Sequence, residues 1–222
     1  MKLASLVFLL PLAGCGVVDI VPKIAMSSGP QIKGTGKPLS ETRKAQAVTG
    51  VQASGAMIVQ VRKGAPKLVV EAQKEILKQL RTEYKGGRLV MWVEGNTSTE
   101  YPVRVWYTGP SVSSIEATGA TEFDAADLAG GASKITLTGA SKVKATGRVG
   151  KLQVELSGAS EANLKALESE SAKVQASGAS RAWIRTHGNL DASASGASEI
   201  KYLGKPTHVA DETSGASSVS AG

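Results

Sequence analysis

Between Ile115 and Ala221 apolar and polar residues alternate in blocks keyed to a recurring four-residue phrase. Ser-Gly-Ala-Ser stands at Ser157–Ser160, Ser177–Ser180, Ser195–Ser198 and Ser214–Ser217, with variants at Thr118–Thr121 and Thr138–Ser141. Its glycines, Gly119, Gly139, Gly158, Gly178, Gly196 and Gly215, are separated by 20, 19, 20, 18 and 19 residues. Four residues before these glycines stand Ile115, Ile135, Val154, Val174 and Ala192, and two before them Ala117, Leu137, Leu156, Ala176 and Ala194. Four after them stand Phe123, Val143, Ala162, Ala182, Ile200 and Val219, and six after them Ala125, Ala145, Leu164, Ile184, Tyr202 and Ala221. The residues between are mostly Lys, Glu, Gln, Thr and Ser. Period-two alternation is the mark of a strand with one buried face, and helical spacing would not hold these columns in register. A unit of this length buries its apolar face only against its copies, so the chain reads as a solenoid.

The fold expected is therefore all-β: a parallel β-helix with coils of roughly 19 residues, stacked about 4.8 Å apart. Each phrase glycine is a corner, where a side chain would clash or φ must be positive. The second Ser of the phrase has two readings. A strand running straight through would point it inward, where it must hydrogen-bond along the stack. A bend at the glycine would leave it facing water.

The same columns reach back to Gly55, flanked by Val51, Ala53, Val59 and Val61. Residues 39–110 form a less regular first part of the domain and 111–222 the repeat coils. Lys63–Pro66 is a turn, and Leu68, Val70 and Ala72 alternate as a strand. Ile76, Leu77 and Leu80 allow one or two helical turns. Lys85-Gly86-Gly87-Arg88 turns into a strand over Arg88–Glu94, Gly95–Glu100 is a polar loop, and Tyr101–Thr108 is a further strand. Trp92 and Trp106 are expected to lie in the core or cap it; exposed, they would mark a sticky surface. In the last coil Asp211 and Thr213 replace apolar residues, which reads as a polar cap on the stack.

The start of the chain has another character. Leu3–Ala13 is apolar behind Met1-Lys2 and too short to cross a bilayer, which fits a secretory signal. Leu12-Ala13-Gly14-Cys15 resembles the lipobox of bacterial lipoproteins, and Cys15 is the sole cysteine. That resemblance implies removal of residues 1–14, a diacylglyceryl thioether and a fatty acyl amide such as palmitate on Cys15, and anchoring by several acyl chains together. Gly16 in place of Asp implies the outer membrane. Residues 15–38, with Pro22, Pro30 and Pro38, read as a lipidated flexible tether.

Charge is uneven along the chain. Up to Pro110 there are 15 Lys or Arg against 7 Asp or Glu, and from Ser111 there are 11 against 12. A solvated basic face is the favoured reading, and attraction to anionic phospholipid or lipopolysaccharide is the alternative. With only nine aromatic residues the core is expected to be thin and laddered.

The secretion signal, Gly34-Thr35-Gly36 ahead of a Ser-Gly-Ala coil, and the Ser-Gly-Ala-Ser coils ending in Gly204-Lys205-Pro206 together resemble the bacterial family called putative auto-transporter adhesin, head GIN domain. The resemblance covers Gly34 to Ala221. It implies a right-handed β-helix and carries over no catalytic residues, because the family has none established.

Many β-helices act on polysaccharides, so the acids were weighed as catalysts. Asp124 and Asp127 stand five and eight residues after Gly119, Asp191 five before Gly196, and Glu199 three after it. These are different columns and coils, and no pair is expected to converge as glycoside hydrolysis requires. His187, in Arg185-Thr186-His187-Gly188, reads as a turn residue, and His208 has no metal-ligand spacing. Gly130-Gly131 lacks the acids of a calcium-binding repeat. No cofactor, metal or nucleic-acid partner is expected. The expected function is a non-catalytic module that displays a rigid face to a glycan or an envelope protein, held to membrane lipid through Cys15. The alternative is a polysaccharide lyase or hydrolase. Cys15→Ser is expected to abolish metabolic labelling with a radioactive fatty acid and to release the protein or stall its precursor; full retention in carbonate-washed membranes would contradict the anchor.

Overall fold

The structure is a computed structural model describing residues 30–222; Cys15 and the signal segment lie outside the described residues. The less regular part contains β1 (Ile32–Lys33), β2 (Leu39–Arg43), β3 (Gly50–Gly55), β4 (Met57–Lys63), β5 (Lys67–Ala72) and one helical turn, α1 (Lys74–Leu77). It continues with β6 (Leu80–Lys85), β7 (Arg88–Val93), β8 (Thr97–Ser98) and β9 (Val103–Gly109). The coils are built from β10 (Ser114–Gly119), β11 (Glu122–Leu137), β12 (Lys142–Leu156), β13 (Glu161–Ala176), β14 (Arg181–Thr186), β15 (Asn189–Gly196), β16 (Glu199–Leu203), β17 (His208–Gly215) and β18 (Ser218–Ala221).

These strands form a β-solenoid of about five turns. One parallel ladder runs through β7, β3, β10, the second halves of β11, β12 and β13, then β15 and β17. The other runs through β9, β4, the first halves of β11, β12 and β13, then β14, β16 and β18. The middles of β11, β12 and β13 make a third side, entered through register shifts after Ala125, Lys144 and Leu164.

The apolar columns read from the sequence are the interior. Ile115 pairs with Ile135, which pairs with Val154, then Val174 and Ala192. Phe123, Val143, Ala162, Ala182 and Ile200 do the same on the other ladder. All of these are buried. Burying a Val, Leu or Ile contributes about 1.5–3 kcal/mol. Outside the second ladder, Glu122, Lys142, Glu161, Arg181 and Glu199 alternate in sign from coil to coil. The Lys142–Glu122 and Arg181–Glu199 approaches are 4.0 and 3.9 Å. Exposed pairs of this kind contribute about 0–1 kcal/mol, so the apolar columns hold the stack and the charges trim its register.

At the corner the second Ser lies inward and bonds along the stack, as the first reading has it, although the chain bends as the second supposes. The chain bends at the glycine, with φ of +79° at Gly158 and +75° at Gly178, yet the Ser is buried. Thr121, Ser141, Ser160, Ser180 and Ser198 are each 0–2% exposed. Each hydroxyl shares its one proton between the carbonyl three residues back in its own phrase and, at equal or longer distance, a carbonyl of the preceding coil. For Ser160 these are Ser157 O at 2.7 Å and Gly139 O at 3.3 Å. The left-handed glycine turns the backbone so that a residue parity would place inward still arrives there.

At the N-terminal end the stack is closed by antiparallel pieces: β2 on β5, β5 on β9, and β6 on β7. The β6–β7 hairpin turns on Gly86 and Gly87, φ +57° and +73°, as a two-residue turn requires. Arg43 fastens β2 over this end, donating to Leu80 O at 2.7 Å and Leu77 O at 3.1 Å. Ile32 and Lys33, inside the expected tether, pair with Thr97 and Ser98. Trp92 and Trp106 do not cap the core. Each is half-buried on the outer side of its strand, between residues that point inward: Met91 beside Trp92, and Val105 and Tyr107 beside Trp106.

A Cβ at Gly158 would lie 2.5 Å from Gly139 O, whereas one at Gly131 would meet nothing within 4 Å and needs no left-handed backbone. Gly158→Val is expected to destabilise the domain by more than about 2 kcal/mol, and Gly131→Ala to leave thermal unfolding nearly unchanged. Equal melting temperatures for the two variants would contradict the corner.

Candidate binding face

Strict stacking turns every outward position into a column. On the outer side of the first ladder three consecutive residues of each coil line a trough of about 700 Å³: 132–134, 151–153, 171–173 and 189–191, with His208 and Ala210 beyond. It therefore runs along the stack. Its charged and longer polar side chains are Lys134, Lys151, Gln153, Lys173, Asn189, Asp191 and His208. Lys173 pairs with Asp191 at 3.2 Å and Lys134 with Glu155 at 2.9 Å. Lys151 is in no ion pair with a described residue.

Beside it lies a second trough of about 460 Å³, lined by Thr136, Thr138, Glu155, Ser157, Gln175 and Ser177 among others. This is where the first Ser or Thr of each phrase points, and Thr138 Oγ1 donates to Thr118 Oγ1 at 3.2 Å. Burial pushes the Glu155 carboxyl up, but Lys134, Gln153 at 2.7 Å and Thr136 at 3.4 Å outweigh it and hold it below the usual carboxylate range. The smaller trough offers hydroxyls and amides, the larger is edged by lysines over Ala and Leu side chains, and neither is lined by Phe, Trp or Tyr.

The candidate acids fall on different sides. Asp124 lies outside the second ladder, 3.1 Å from Arg62. Asp127 sits at the register shift with φ +60°. Glu199 is held by Lys201 at 2.8 Å, which lowers its pKa against some burial. His187 lies at a corner, its backbone N–H donating to Ser169 O at 3.1 Å, close enough to Glu168 to help lower that carboxyl's pKa after the dominant contribution of Arg148. Asp191 and His208 share the larger trough on adjacent coils, because Asn189 pairs with His208 and Asp191 with Ala210. A diagonal offset of two residues on neighbouring strands is within side-chain reach, and a search for identical columns overlooks it. Asp191 is nevertheless the only carboxylate lining that trough. Among the described residues no three His, Cys, Asp or Glu cluster as a metal site.

Residues 47–206 match the family described as "putative auto-transporter adhesin, head GIN domain", and the chain belongs to that family. No curated protein matches it. A crystal structure described as a "putative adhesin" from Bacteroides fragilis is 14% identical with a TM-score of 0.62, covering 85% of this chain and 99% of that one. Another so described, from Parabacteroides distasonis, is 16% identical with a TM-score of 0.61, over 86% and 100%. A "putative lipid binding protein" from Parabacteroides distasonis is 16% identical with a TM-score of 0.52, over 87% and 100%. At these identities the likeness is one of fold.

Glu155, Glu168 and Glu199 are each held below the ordinary glutamate value of about 4.3. A carboxyl depressed in the folded state contributes stability above its unfolded pKa and loses it as pH falls through the folded one. The melting temperature is expected to be level at neutral pH and to fall below about pH 4.3, with Glu155→Gln flattening part of that fall. An unchanged acid slope in Glu155→Gln would show that its contacts are lost to solvent.

Proposed function

We propose that the chain is a lipid-anchored, adhesin-like binding module of the bacterial envelope, held in the outer membrane through Cys15 and without catalytic activity. The observation that carries the reading is the long trough crossing successive coils. A closed pocket would suit a small molecule; an open, coil-spanning trough suits an extended ligand. Hydroxyls, amides and lysines repeating at the coil spacing of about 4.8 Å match a glycan chain, whose own donors and acceptors also repeat. The family's description and the names given to the neighbouring structures support a binding role.

Asp191 and His208 favour the enzymatic alternative most, and their surroundings weaken it. Glycoside hydrolysis by acid–base chemistry uses two carboxylates about 5–9.5 Å apart. The trough supplies one, and Lys173 already engages it.

Residues 30–222 are expected to bind an envelope-derived glycan in an array, with Lys151→Glu weakening binding by about tenfold, as the loss of a charge-assisted contact would. They are expected to release no unsaturated or reducing ends from pectin or alginate, with or without Ca²⁺. Turnover abolished by Asp191→Asn or His208→Ala would establish the enzyme instead. Glycan binding indifferent to Lys151 would move the site off this face.

A further inference from the structure

The two ends of the solenoid differ. Among described residues up to Pro110 there are 13 Lys or Arg and 6 Asp or Glu, whereas from Ser111 onward there are 11 and 12. The basic residues at the N-terminal end divide by type. All five arginines, Arg43, Arg62, Arg81, Arg88 and Arg104, are in ion pairs. None of the eight lysines is paired with a described residue, and every one is exposed. The arginine charges are offset by carboxylates, so the uncompensated positive charge of this end is carried by the lysines.

The large apolar side chains most open to solvent stand at this end too: Leu39 at 52% and Tyr101 at 40%. They share a neighbourhood with four of the lysines, and Gln73 organises it. Its Nε2 donates to Gly36 O at 2.8 Å and its Oε1 accepts from Thr99 Oγ1 at 2.8 Å. Lys37 follows Gly36, Lys74 follows Gln73, and Tyr101 is two residues past Thr99. Leu39 pairs with Ala72, next to Gln73, and Lys33 pairs with Ser98. Lys78 lies one helical turn past Lys74.

We infer that this end is a membrane-contact surface for anionic phospholipid. Lys33, Lys37, Lys74 and Lys78 meet the phosphates, and Leu39 and Tyr101 enter the headgroup layer. Tyrosine favours that layer, lysines near it gain from the negative surface potential, and a weak apolar contact becomes useful when a second signal adds to it. The described chain enters the domain at this end. Ile32 stands seventeen positions after Cys15, a span of at most about 60 Å, so an acylated Cys15 would keep the surface within reach of the bilayer. The contact itself does not require acylation. With this end down the solenoid stands upright, and the trough runs away from the lipid.

The test is co-sedimentation of residues 30–222 with vesicles of phosphatidylglycerol and phosphatidylcholine in equal parts, and with phosphatidylcholine alone. Leaving out Cys15 separates the result from the anchoring question. Binding is expected only to the anionic vesicles, weakening as salt rises. The triple variant Lys37→Glu, Lys74→Glu, Lys78→Glu is expected to lose about tenfold or more in affinity. The matched triple Lys144→Glu, Lys165→Glu, Lys205→Glu, in the repeat coils, is expected to lose less than about twofold. Leu39→Ser with Tyr101→Ser is expected to weaken binding several-fold at unchanged melting temperature. No preference for anionic vesicles, equal losses in the two triples, or no effect of the serine pair would overturn the proposal.

Discussion

The structure depends on how closely two backbones approach at the corner of each coil. From Gly119 onward each phrase glycine lies over the glycine of the coil before it. The amide of the following alanine donates to that glycine's carbonyl at 2.7–2.8 Å. A Cβ at these positions would fall 2.5–2.8 Å from the same carbonyl oxygen. The hydrogen bond and the missing side chain are one requirement: the coils can keep strand spacing around the bend only where nothing stands between them. The buried Ser or Thr hydroxyl belongs to the same device. It bonds both to its own phrase and to the coil below, so a polar group is taken inside without being left unpaired. Ser133 shows the contrast. It lies outside the phrase, in a buried column with Leu152, Ala172 and Leu190, and its hydroxyl has no hydrogen-bond partner among the described residues.

Once the corner fixes the stacking, the surface follows. A residue type repeated at one offset becomes a row, and rows become troughs. The hydroxyl floor of the smaller trough is the first residue of the phrase, copied coil by coil. Ion pairs between rows, such as Lys134–Glu155 and Lys173–Asp191, are exposed enough to add little stability. Their effect is on recognition: they hold long side chains across the coils and leave Lys151 the least committed cation in the larger trough.

The interior was legible in the sequence because a period of two and a period near nineteen were both present, and both are imposed by burial. Ile135 or Val174 could be placed without any structure. The elements that escaped are those without a repeat to calibrate them. β2 is exposed at every position except the half-buried Arg43, so burial left no pattern on it. β6 could have been inferred from Gly86-Gly87 as a hairpin turn, which demands a strand before it as well as after. The inward Ser stays open in the sequence because parity points it inward whereas a bend at the glycine would turn it to water, and only the backbone shows that the bend and the burial occur together. Asp191 and His208 occupy different columns and come together only diagonally, on adjacent strands two residues out of register, which equal offsets from the glycines do not reveal.

A solenoid has two ends, and this one finishes them differently. At the N-terminal end β2, α1 and β6 fold over the stack, and Arg43 spends its guanidinium on their carbonyls and on Thr82. At the other end β17 and β18 each pair on one side only. Such a rung could template further stacking, since it presents free backbone groups at strand spacing. The side chains oppose that. Asp211 follows Ala192 and Thr213 follows Ala194 in columns that are apolar in the coils before them. Another coil laid on top would have to bury a carboxylate, which is strongly unfavourable without a partner. Inward charge on an edge is a recognised barrier to strand addition. The two ends of one axis therefore differ: the N-terminal end is covered and basic, and the other is open at its backbone but opposed to strand addition by its inward charge.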